Sequence, residues 1–591
     1  MKGNYDSAML HVLKRLGTCV REYKTPAILT LALIIGEAVI EALIPFITAS
    51  LVNKIQGGVD MQQIMRTGAV LIVLALCSLA CGALAGVFSS KAGAGFARNL
   101  RHDMFERVQG FAFENIDKFS SSSLVTRMTT DVNSVQMSFM MLIRIAVRSP
   151  LMLIFSVVMA YIMGGALATS FVVIVPVLAF GLIMIGKKAM PAFRAVFKKY
   201  DRMNESIEEN VRAMRVVKGF SREEYEKEKF AAASDNIAAD FTRAERIVAC
   251  NTPLMQLCIY FNMVFVLYVG SRIVVKTQGT VIQVGQISAM LTYGVQILMS
   301  LMMLSMIYVM LTMSVEAAKR ICEVLDEEPT LHDPENPVRE VKDGSIDFEN
   351  VSFKYSAAAQ KDALSGIDLH IDSGMTVGIL GVTGSGKTTL VQLIPRLYDA
   401  TGGSVRVGGV DVRDYDVETL REAVAMVLQK NELFSGTIRD NLRWGNPNAT
   451  DEELIEACRL AQADGFVRSF PGGYDAKIEQ GGTNVSGGQK QRLCIARALL
   501  KKPKILILDD STSAVDTHTD LLIRQGLRKY IPETTKLIIA QRVASVEDAD
   551  LILILDNGRI VAQGTHDELM RSSGIYREIY SQQTKGGEKD V

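Results

Sequence analysis

The chain of 591 residues is too long for a single hydrophobic core, so its length predicts two or more domains. Its 64 Lys and Arg residues balance 64 Asp and Glu residues, and the net charge gives no sign of a nucleic-acid partner. Apolar residues make up 49% of the chain, and the excess lies almost wholly before residue 315. The eight cysteines have neither zinc-ligand spacing nor a disulfide pattern, which favours buried thiols in a reducing compartment.

Six segments have the length and apolarity of membrane-spanning helices. They cover approximately residues 26–52, 66–90, 139–163, 167–187, 250–275 and 284–312. Residues 1–24 are polar and basic, so we expect a cytoplasmic amphipathic segment there and no cleavable signal peptide. The two long stretches between spans, 91–138 and 188–249, are also rich in Lys and Arg. This bias and the even number of spans predict a multi-pass protein of a cell membrane, plasma or inner, with both termini in the cytoplasm.

The two long stretches also carry a helical pattern. Apolar residues recur at helical spacing among the charges of residues 94–117 and 193–247. We therefore expect the spans to continue into the cytosol as helical arms, long enough at about 1.5 Å per residue to reach a separate domain. The sequence predicts an all-α transmembrane domain over 25–320 with six helices and long intracellular extensions.

A second domain of a different class follows. Residues 326–345 are acidic and rich in turn-forming residues, which predicts a linker over 321–345. From residue 346 to 591, short β-type runs alternate with helical segments. That alternation is typical of an α/β domain with a mostly parallel sheet.

The motif G-x-x-x-x-G-K-T at 381–388 is preceded by a strand-like run and opens a helical stretch. In that context its glycines allow backbone N–H groups to wrap a phosphate at a helix amino terminus. Lys387 would neutralise phosphate charge, and the Thr388 hydroxyl would ligate Mg²⁺. The predicted ATP cradle consists of Gly381, Thr383, Gly384, Ser385, Gly386, Lys387, Thr388 and Thr389.

A second phosphate-binding motif lies 98 positions after Lys387, at Val485–Gln489, where Ser486 and two glycines open another helical stretch. Because the chain has one P-loop, a second cradle implies a second chain whose nucleotide it caps. The apolar run at 505–508 then ends in Asp509 and Asp510, at the strand end where open α/β sheets bind ligands.

The order Tyr355, P-loop, Gln429, SGGQ, ILILDD and SAVD (513–516) resembles the nucleotide-binding domain of an ABC transporter. The preceding spans with their arms resemble an exporter-type half-transporter, and the resemblance covers essentially the whole chain. It implies that Tyr355 stacks on adenine, that Gln429 meets Mg²⁺ and that Asp509 holds Mg²⁺ through water. It further implies that the signature binds ATP of the partner subunit; the nucleotide contacts outside the P-loop are then Ser486, Gly487, Gly488, Gln489 and Asp516.

Two departures from the family pattern fall on the residues that activate water. Where hydrolytic sites carry Glu after the Mg²⁺ aspartate, this chain has Asp510, and Gln541 stands at the switch histidine position. The shorter carboxylate falls roughly 1 Å short of the attacking water, and a displacement of that size lowers a rate about 10²-fold. Gln541 can donate a hydrogen bond but cannot carry the charge of a protonated His.

The signature differs from the usual one only in having Val485 in place of Leu. The residues predicted to hydrolyse the chain's own ATP are therefore altered, whereas the signature predicted to cap the ATP of another chain is near standard. This asymmetry predicts a heterodimer with a second half-transporter that supplies Glu and His. The segment before the signature, 477–484, also departs from the family pattern, which leaves its role in coupling open.

Candidate substrate contacts lie in the spans. Glu37 and Glu41 share one face of the first span, where they could contact a cationic or polar substrate or pair with Arg144 or Arg148. The sixth span is rich in methionine, which adapts to varied apolar shapes but is also common in ordinary packing. The candidate set is Glu37, Glu41, Tyr293, Met299 and Met303.

The leading hypothesis is ATP-driven export of amphipathic small molecules or drugs by a heterodimer in the lipid bilayer. A lipid, peptide or siderophore-type transporter on the same fold is the first alternative, and a regulatory or gating subunit is the second. The spans exclude a soluble ATPase acting on nucleic acid, so ATP is the one nucleotide partner expected.

Overall fold

The computed structural model describes residues 11–356, 359, 361–511 and 514–587. The chain divides into two compact units, one drawing on Met1–Gln109 and Ser120–Glu327 and the other on Gly110–Phe119 and Glu328–Val591. Ser513 of the SAVD stretch and the first ten residues of the predicted amino-terminal segment lie outside the described residues.

The first unit consists of long helices with short helices at their turns. In chain order the helices up to residue 326 are α1 (Lys24–Gln56), α2 (Met61–Gln109), α3 (Phe113–Phe119), α4 (Ser121–Thr126), α5 (Val132–Gly164), α6 (Thr169–Arg212), α7 (Met214–Gly219), α8 (Glu223–Ala249), α9 (Asn251–Thr277) and α10 (Val284–Asp326). Of these, α3 belongs to the second unit. With 49 residues, α2 extends about 70 Å, more than twice the roughly 30 Å hydrocarbon thickness of a membrane.

Five helical runs in the described residues are long and apolar enough to cross a membrane, where the sequence predicts six. They are Arg21–Gln56, Met61–Gln109, Ser121–Phe193, Glu223–Thr277 and Val284–Asp326. The third run contains α4, α5 and the first part of α6, and the chain turns between α5 and α6 at Gly165, whose φ of 50° suits glycine. The predicted third and fourth spans therefore fall within one run, and the number six stays a prediction.

Small residues and buried ion pairs hold the long helices together. A Cβ at Gly93 of α2 would lie 2.4 Å from Met140 Cγ, so the glycine permits close packing against α5. Just before α5, the buried Asp131 carboxylate accepts hydrogen bonds from Nε–H and Nη2–H of Arg320 on α10, at 2.8 and 2.6 Å. Such a bidentate pair compensates the cost of burying the carboxylate.

The second unit contains a six-stranded sheet in the order β12-β11-β3-β10-β9-β6 and a four-stranded antiparallel sheet in the order β2-β1-β4-β5. Strands β11, β3, β10, β9 and β6 run parallel, and β12 is antiparallel to β11. All five residues of β9 are buried, as expected for a central parallel strand covered on both faces. A small β7-β8 pair completes the strands.

The bounds of these elements place the motifs at strand ends and helix starts. The strands are β1 (Ile346–Phe353), β2 (Leu364–Ile371), β3 (Thr376–Gly381), β4 (Gly402–Val407), β5 (Val410–Asp411), β6 (Val424–Val427), β7 (Gly436–Thr437), β8 (Lys477–Ile478), β9 (Ile505–Asp509), β10 (Thr535–Ile539), β11 (Leu551–Asp556) and β12 (Arg559–Gly564). The helices are α11 (Lys387–Gln392), α12 (Val417–Ala423), α13 (Ile438–Arg443), α14 (Asp451–Leu460), α15 (Asp464–Ser469), α16 (Gly487–Leu500), α17 (Thr517–Tyr530), α18 (His566–Ser572) and α19 (Gly574–Gly587).

Helix α3 is attached to the second unit through Asn115. The Asn115 amide donates to the Glu328 carbonyl at 3.0 Å, and its carbonyl oxygen accepts from Thr330 N–H at 3.2 Å. The same oxygen accepts from Ala112 N–H at 3.1 Å, so one buried side chain fixes both the helix start and residues 328–330.

Candidate nucleotide site

The P-loop connects β3 to α11 through three glycines in conformations that other residues adopt at a cost. Gly384 and Gly386 have φ of 81° and 99°, and Gly381 has φ of 154°. A Cβ at Gly381 would lie 2.3 Å from the Leu555 carbonyl oxygen, so the strand end leaves no room for a side chain. The loop therefore keeps its backbone N–H groups available at the amino terminus of a helix, as phosphate binding requires.

Lys387 and Thr388 are the first residues of α11, and their side chains bond different parts of the site. The Lys387 ammonium donates to the carbonyls of Gly381 and Val382 at 2.7 and 2.9 Å. Thr388 donates its hydroxyl to Asp509 at the end of β9, with oxygen distances of 2.9 and 3.1 Å. Burial lowers the pKa of Lys387 and raises that of Asp509, and the hydrogen bond from Thr388 opposes the latter shift.

These residues fit Mg²⁺-ATP. The donor set of one hydroxyl and one carboxylate consists of oxygen ligands, which Mg²⁺ prefers, and the P-loop glycines leave space for phosphate oxygens beside a lysine. Thr388 and Asp509 would hold the metal, and Lys387 with the loop N–H groups would hold the phosphates. When bound, ATP would supply the phosphoanhydride bond whose cleavage releases free energy.

Asp510 follows β9 with φ of 50°, a left-handed conformation that Asp tolerates. Its Oδ2 accepts a hydrogen bond from the Gln541 amide at 2.8 Å and a long one from the Gln429 amide at 3.5 Å. The structure thus brings Gln429, predicted to meet Mg²⁺, together with the two residues at the positions predicted to activate water, Asp510 and Gln541. Burial raises the pKa of Asp510, while the hydrogen bonds from the two amides oppose that shift.

Tyr355 belongs to a group of aromatic rings behind the P-loop helix. Its hydroxyl lies 2.9 Å from Thr389 Oγ1, and its ring meets Tyr398 edge-on at 5.4 Å. Tyr398 in turn donates its hydroxyl to Asp117 of α3 at 2.8 Å, and its ring meets Phe113 edge-on at 5.9 Å. The half-exposed Tyr355 ring is available for an adenine base, on a platform fixed by its neighbours.

The signature residues form the amino-terminal cap of α16. The Ser486 hydroxyl accepts from Gln489 N–H, and the Gln489 side chain accepts from Ser486 N–H, at 3.3 and 3.0 Å. Gly488 lies against the Ala514 carbonyl, where a Cβ would come within 2.7 Å. Asp516 caps α17 through Thr519 N–H at 2.9 Å.

The sequence did not predict the roles of two residues of the site. Tyr398 contacts both Tyr355 and α3, and Gln583 on α19 hydrogen bonds the main chain on both sides of Arg542. Nothing in the local pattern around either residue signals these contacts, because they depend on how distant segments pack.

The candidate substrate residues fall into two groups. Arg148 donates to both oxygens of Glu41 at 2.7 Å and lies 3.6 Å from Glu37, which is the ion pair that the sequence left open. Tyr293 is fully buried and donates its hydroxyl to the Ala42 carbonyl at 2.7 Å, which favours a packing role in this conformation. Met299 and Met303 are 44% and 38% exposed on α10 and remain candidate contacts.

Comparisons with known proteins agree with this organisation. Residues 27–314 match the family described as the ABC transporter transmembrane region, and residues 364–513 match the family described as ABC transporter. The fold resembles a bacterial Atm1-family ABC exporter with ATP bound, with a TM-score of 0.80 and 25% identity over 95% of this chain and 98% of that one. The fold and site define an ABC exporter half-transporter.

Relatives extend the match over nearly the full length. An ABC transporter ATP-binding protein of Bacillus subtilis, YfiB, is 34% identical over 95% of this chain and 97% of its own. A fatty acid ABC transporter ATP-binding/permease protein of Mycobacterium tuberculosis is 33% identical over 89% of this chain and 83% of its own. The chain belongs to the ABC transporter family, and ATPase-coupled transport in a membrane is its general activity.

Proposed function

We propose that this chain is one subunit of a heterodimeric exporter, that its own site retains ATP with little hydrolysis, and that its signature completes the partner's hydrolytic site. The observation that carries the proposal is the 2.8 Å hydrogen bond from the Gln541 amide to Asp510 Oδ2. The residue at the catalytic base position is thereby a short carboxylate tied to the residue at the switch position.

Two physical effects work against hydrolysis at such a site. The Asp510 Oδ2 atom already accepts hydrogen bonds from Gln541 and Gln429, so these bonds would have to give way before that oxygen could accept a proton from water. The amide of Gln541 also cannot supply positive charge where negative charge develops on the phosphate. The phosphate-binding residues Lys387 and Thr388 are unaltered, so ATP affinity is expected to be retained.

The ATPase activity of the full-length chain, purified alone and then with its copurifying partner subunit, tests this proposal. We expect little turnover by the chain alone and vigorous turnover by the pair. Replacing Ser486 by Ala should lower the turnover of the pair, because the signature caps the partner's ATP, whereas Asp510→Asn should leave it largely unchanged. Vigorous hydrolysis by the chain alone that Asp510→Asn abolishes contradicts the asymmetric assignment.

For the substrate we propose amphipathic small molecules, including drugs, carried outward from the cytoplasmic side, with both termini cytoplasmic. The exposed Met299 and Met303 side chains support a surface that accommodates varied apolar groups. The ATPase activity of the pair, stimulated by drugs, tests this assignment, and replacing both methionines with Ser should reduce the stimulation. Replacing Met61 with Ser provides the control, because Met61 is an exposed methionine at the first position of α2.

A lipid such as a fatty acid is the second candidate substrate. The similarity to a fatty acid transporter supports it, and so does the pairing of Glu41 with Arg148, because an engaged carboxylate no longer favours a cationic substrate. Competition between a labelled fatty acid and a cationic dye for uptake into inverted vesicles separates the two candidates. Uptake of the fatty acid alone would replace the drug assignment by the lipid one.

A further inference from the structure

The carboxyl-terminal helix α19 reaches the loop that carries Gln541. We call residues 540–543, between β10 and the following turn, the switch loop. The Gln583 amide donates to the Gln541 carbonyl at 2.9 Å, and its carbonyl oxygen accepts from Val543 N–H at 2.8 Å. One side chain thus bonds the main chain on both sides of Arg542.

These two main-chain groups have no other hydrogen-bond partner in the described part of the chain. Val543 is buried, so its N–H group has limited access to water, and losing Gln583 would leave it poorly satisfied. The loop has little regular structure of its own, because β10 ends at Ile539 and the next helical turn begins at Val543. Ala540 N–H bonds the Ile379 carbonyl at the start of the loop, and Gln583 supplies the side-chain hydrogen bonds to the main chain that follows.

Helix α19 is itself firmly placed. Tyr576 is fully buried with its hydroxyl 2.7 Å from His566 Nδ1, and Ile579 packs against the core. Tyr576, Ile579 and Gln583 are spaced by three and four residues and so lie on one helix face. The side chain that holds the switch loop is consequently carried by a docked helix.

We infer that Gln583 is a positioning residue that fixes the switch loop so that the Gln541 amide bonds Asp510. The path runs from the Gln583 side chain to the Gln541 main chain, and from the Gln541 side chain to Asp510 Oδ2 at 2.8 Å. The carboxyl-terminal helix thereby sets how long ATP stays in this chain's own site. The inference rests on the proposed ATP-retaining role of that site.

The test uses the full-length chain in lipid nanodiscs, preloaded with Mg²⁺ and the fluorescent analogue mant-ATP. Excess unlabelled ATP is then added, and the dissociation rate of mant-ATP is measured. Gln583→Met keeps the length of the side chain but removes both hydrogen bonds, and should speed dissociation about fivefold. Gln582→Met is the matched control, because the Gln582 amide donates to Glu578 of its own helix at 3.2 Å and has no hydrogen bond to the switch loop among the described residues, so its replacement should leave the rate unchanged. Gln583→Glu keeps the acceptor for Val543 N–H and should speed dissociation less than Gln583→Met.

A double-mutant cycle with Gln541→Ala distinguishes positioning from a general structural role. If Gln583 acts through Gln541, Gln583→Met adds no further acceleration in the Gln541→Ala background. A full additional acceleration there, or a wild-type rate for Gln583→Met alone, overturns the inference. Failure of the proposed function would give a different result, because the wild-type chain would then convert its bound nucleotide to the diphosphate before the chase.

Discussion

The two halves of the nucleotide site differ in how far they keep what hydrolysis needs. On the phosphate side, Lys387, Thr388 and Asp509 form the expected set, with Thr388 bonded to the aspartate at 2.9 Å. On the water side, Asp510 and Gln541 replace the expected Glu and His and bond each other. On the proposed function, ATP binding and ATP cleavage rest on separate groups of side chains, and this chain keeps the first group and has substitutions in the second.

The largest effect is expected from removing the phosphate side. Lys387→Ala leaves the phosphate charge without its closest cation, and we expect ATP affinity to fall about 100-fold or more. Equilibrium binding of mant-ATP measures the change. Lys361→Ala serves as control, because Lys361 bonds Asn557 on the surface of the same unit and its loss should not alter affinity by more than about twofold.

Restoring the water side should produce the next largest effect. Asp510→Glu combined with Gln541→His supplies the longer carboxylate and a residue that can be charged, and we expect ATPase of the chain alone to rise about 10²-fold. Phosphate release at saturating ATP measures it. If the double variant stays as slow as the wild type while binding ATP normally, the two substitutions do not account for slow hydrolysis.

A smaller effect is expected behind the adenine platform. Tyr398→Phe removes the 2.8 Å hydrogen bond to Asp117, a loss of about 1 kcal/mol, while keeping the ring contacts. Amide hydrogen exchange in residues 113–119 should quicken about fivefold. The same substitution at Tyr530, an exposed tyrosine on α17, should leave that exchange unchanged. Unchanged exchange in the Tyr398 variant would show that other contacts alone hold α3.

The smallest effect concerns the charge on Asp510. Because burial raises the pKa of Asp510 above its unfolded value, the ionised carboxylate is less favourable in the fold than the neutral one. Asp510→Asn should therefore raise Tm slightly at neutral pH, by about 2 °C. The gain should shrink as the pH falls through the folded pKa, since the wild-type residue is then neutral too. A gain that grows on acidification contradicts the assignment.

Local sequence patterns predicted the parts of the molecule that depend on local physics. The P-loop, the signature cap and the apolar β9 strand follow from glycine conformations, helix capping and burial, and the structure has each where the pattern places it. The contact between Asp510 and Gln541 was suggested only by the family resemblance. The roles of Tyr398 and Gln583 could not be predicted, because each contacts residues tens of positions away and neither belongs to a periodic pattern.

The boundary between the third and fourth spans shows a second limit. The apolar pattern predicts two helices, and the structure has α5 and α6. However, the turn at Gly165–Ala168 is itself helical, so a criterion of continuous helix merges them into one run. The number of separate spans depends on how sharply a short apolar turn interrupts the helix. The hydropathy of the sequence does not reveal the sharpness of that turn.

The nucleotide that the chain holds after prolonged incubation tests the central claim most directly. The full-length chain is incubated with Mg²⁺-ATP at its working temperature, freed from unbound nucleotide, and the retained nucleotide is identified by chromatography. We predict that the wild type retains ATP and that the Asp510→Glu, Gln541→His double variant retains ADP. Retained ADP in the wild type, changed to ATP by Asp510→Asn, would contradict it.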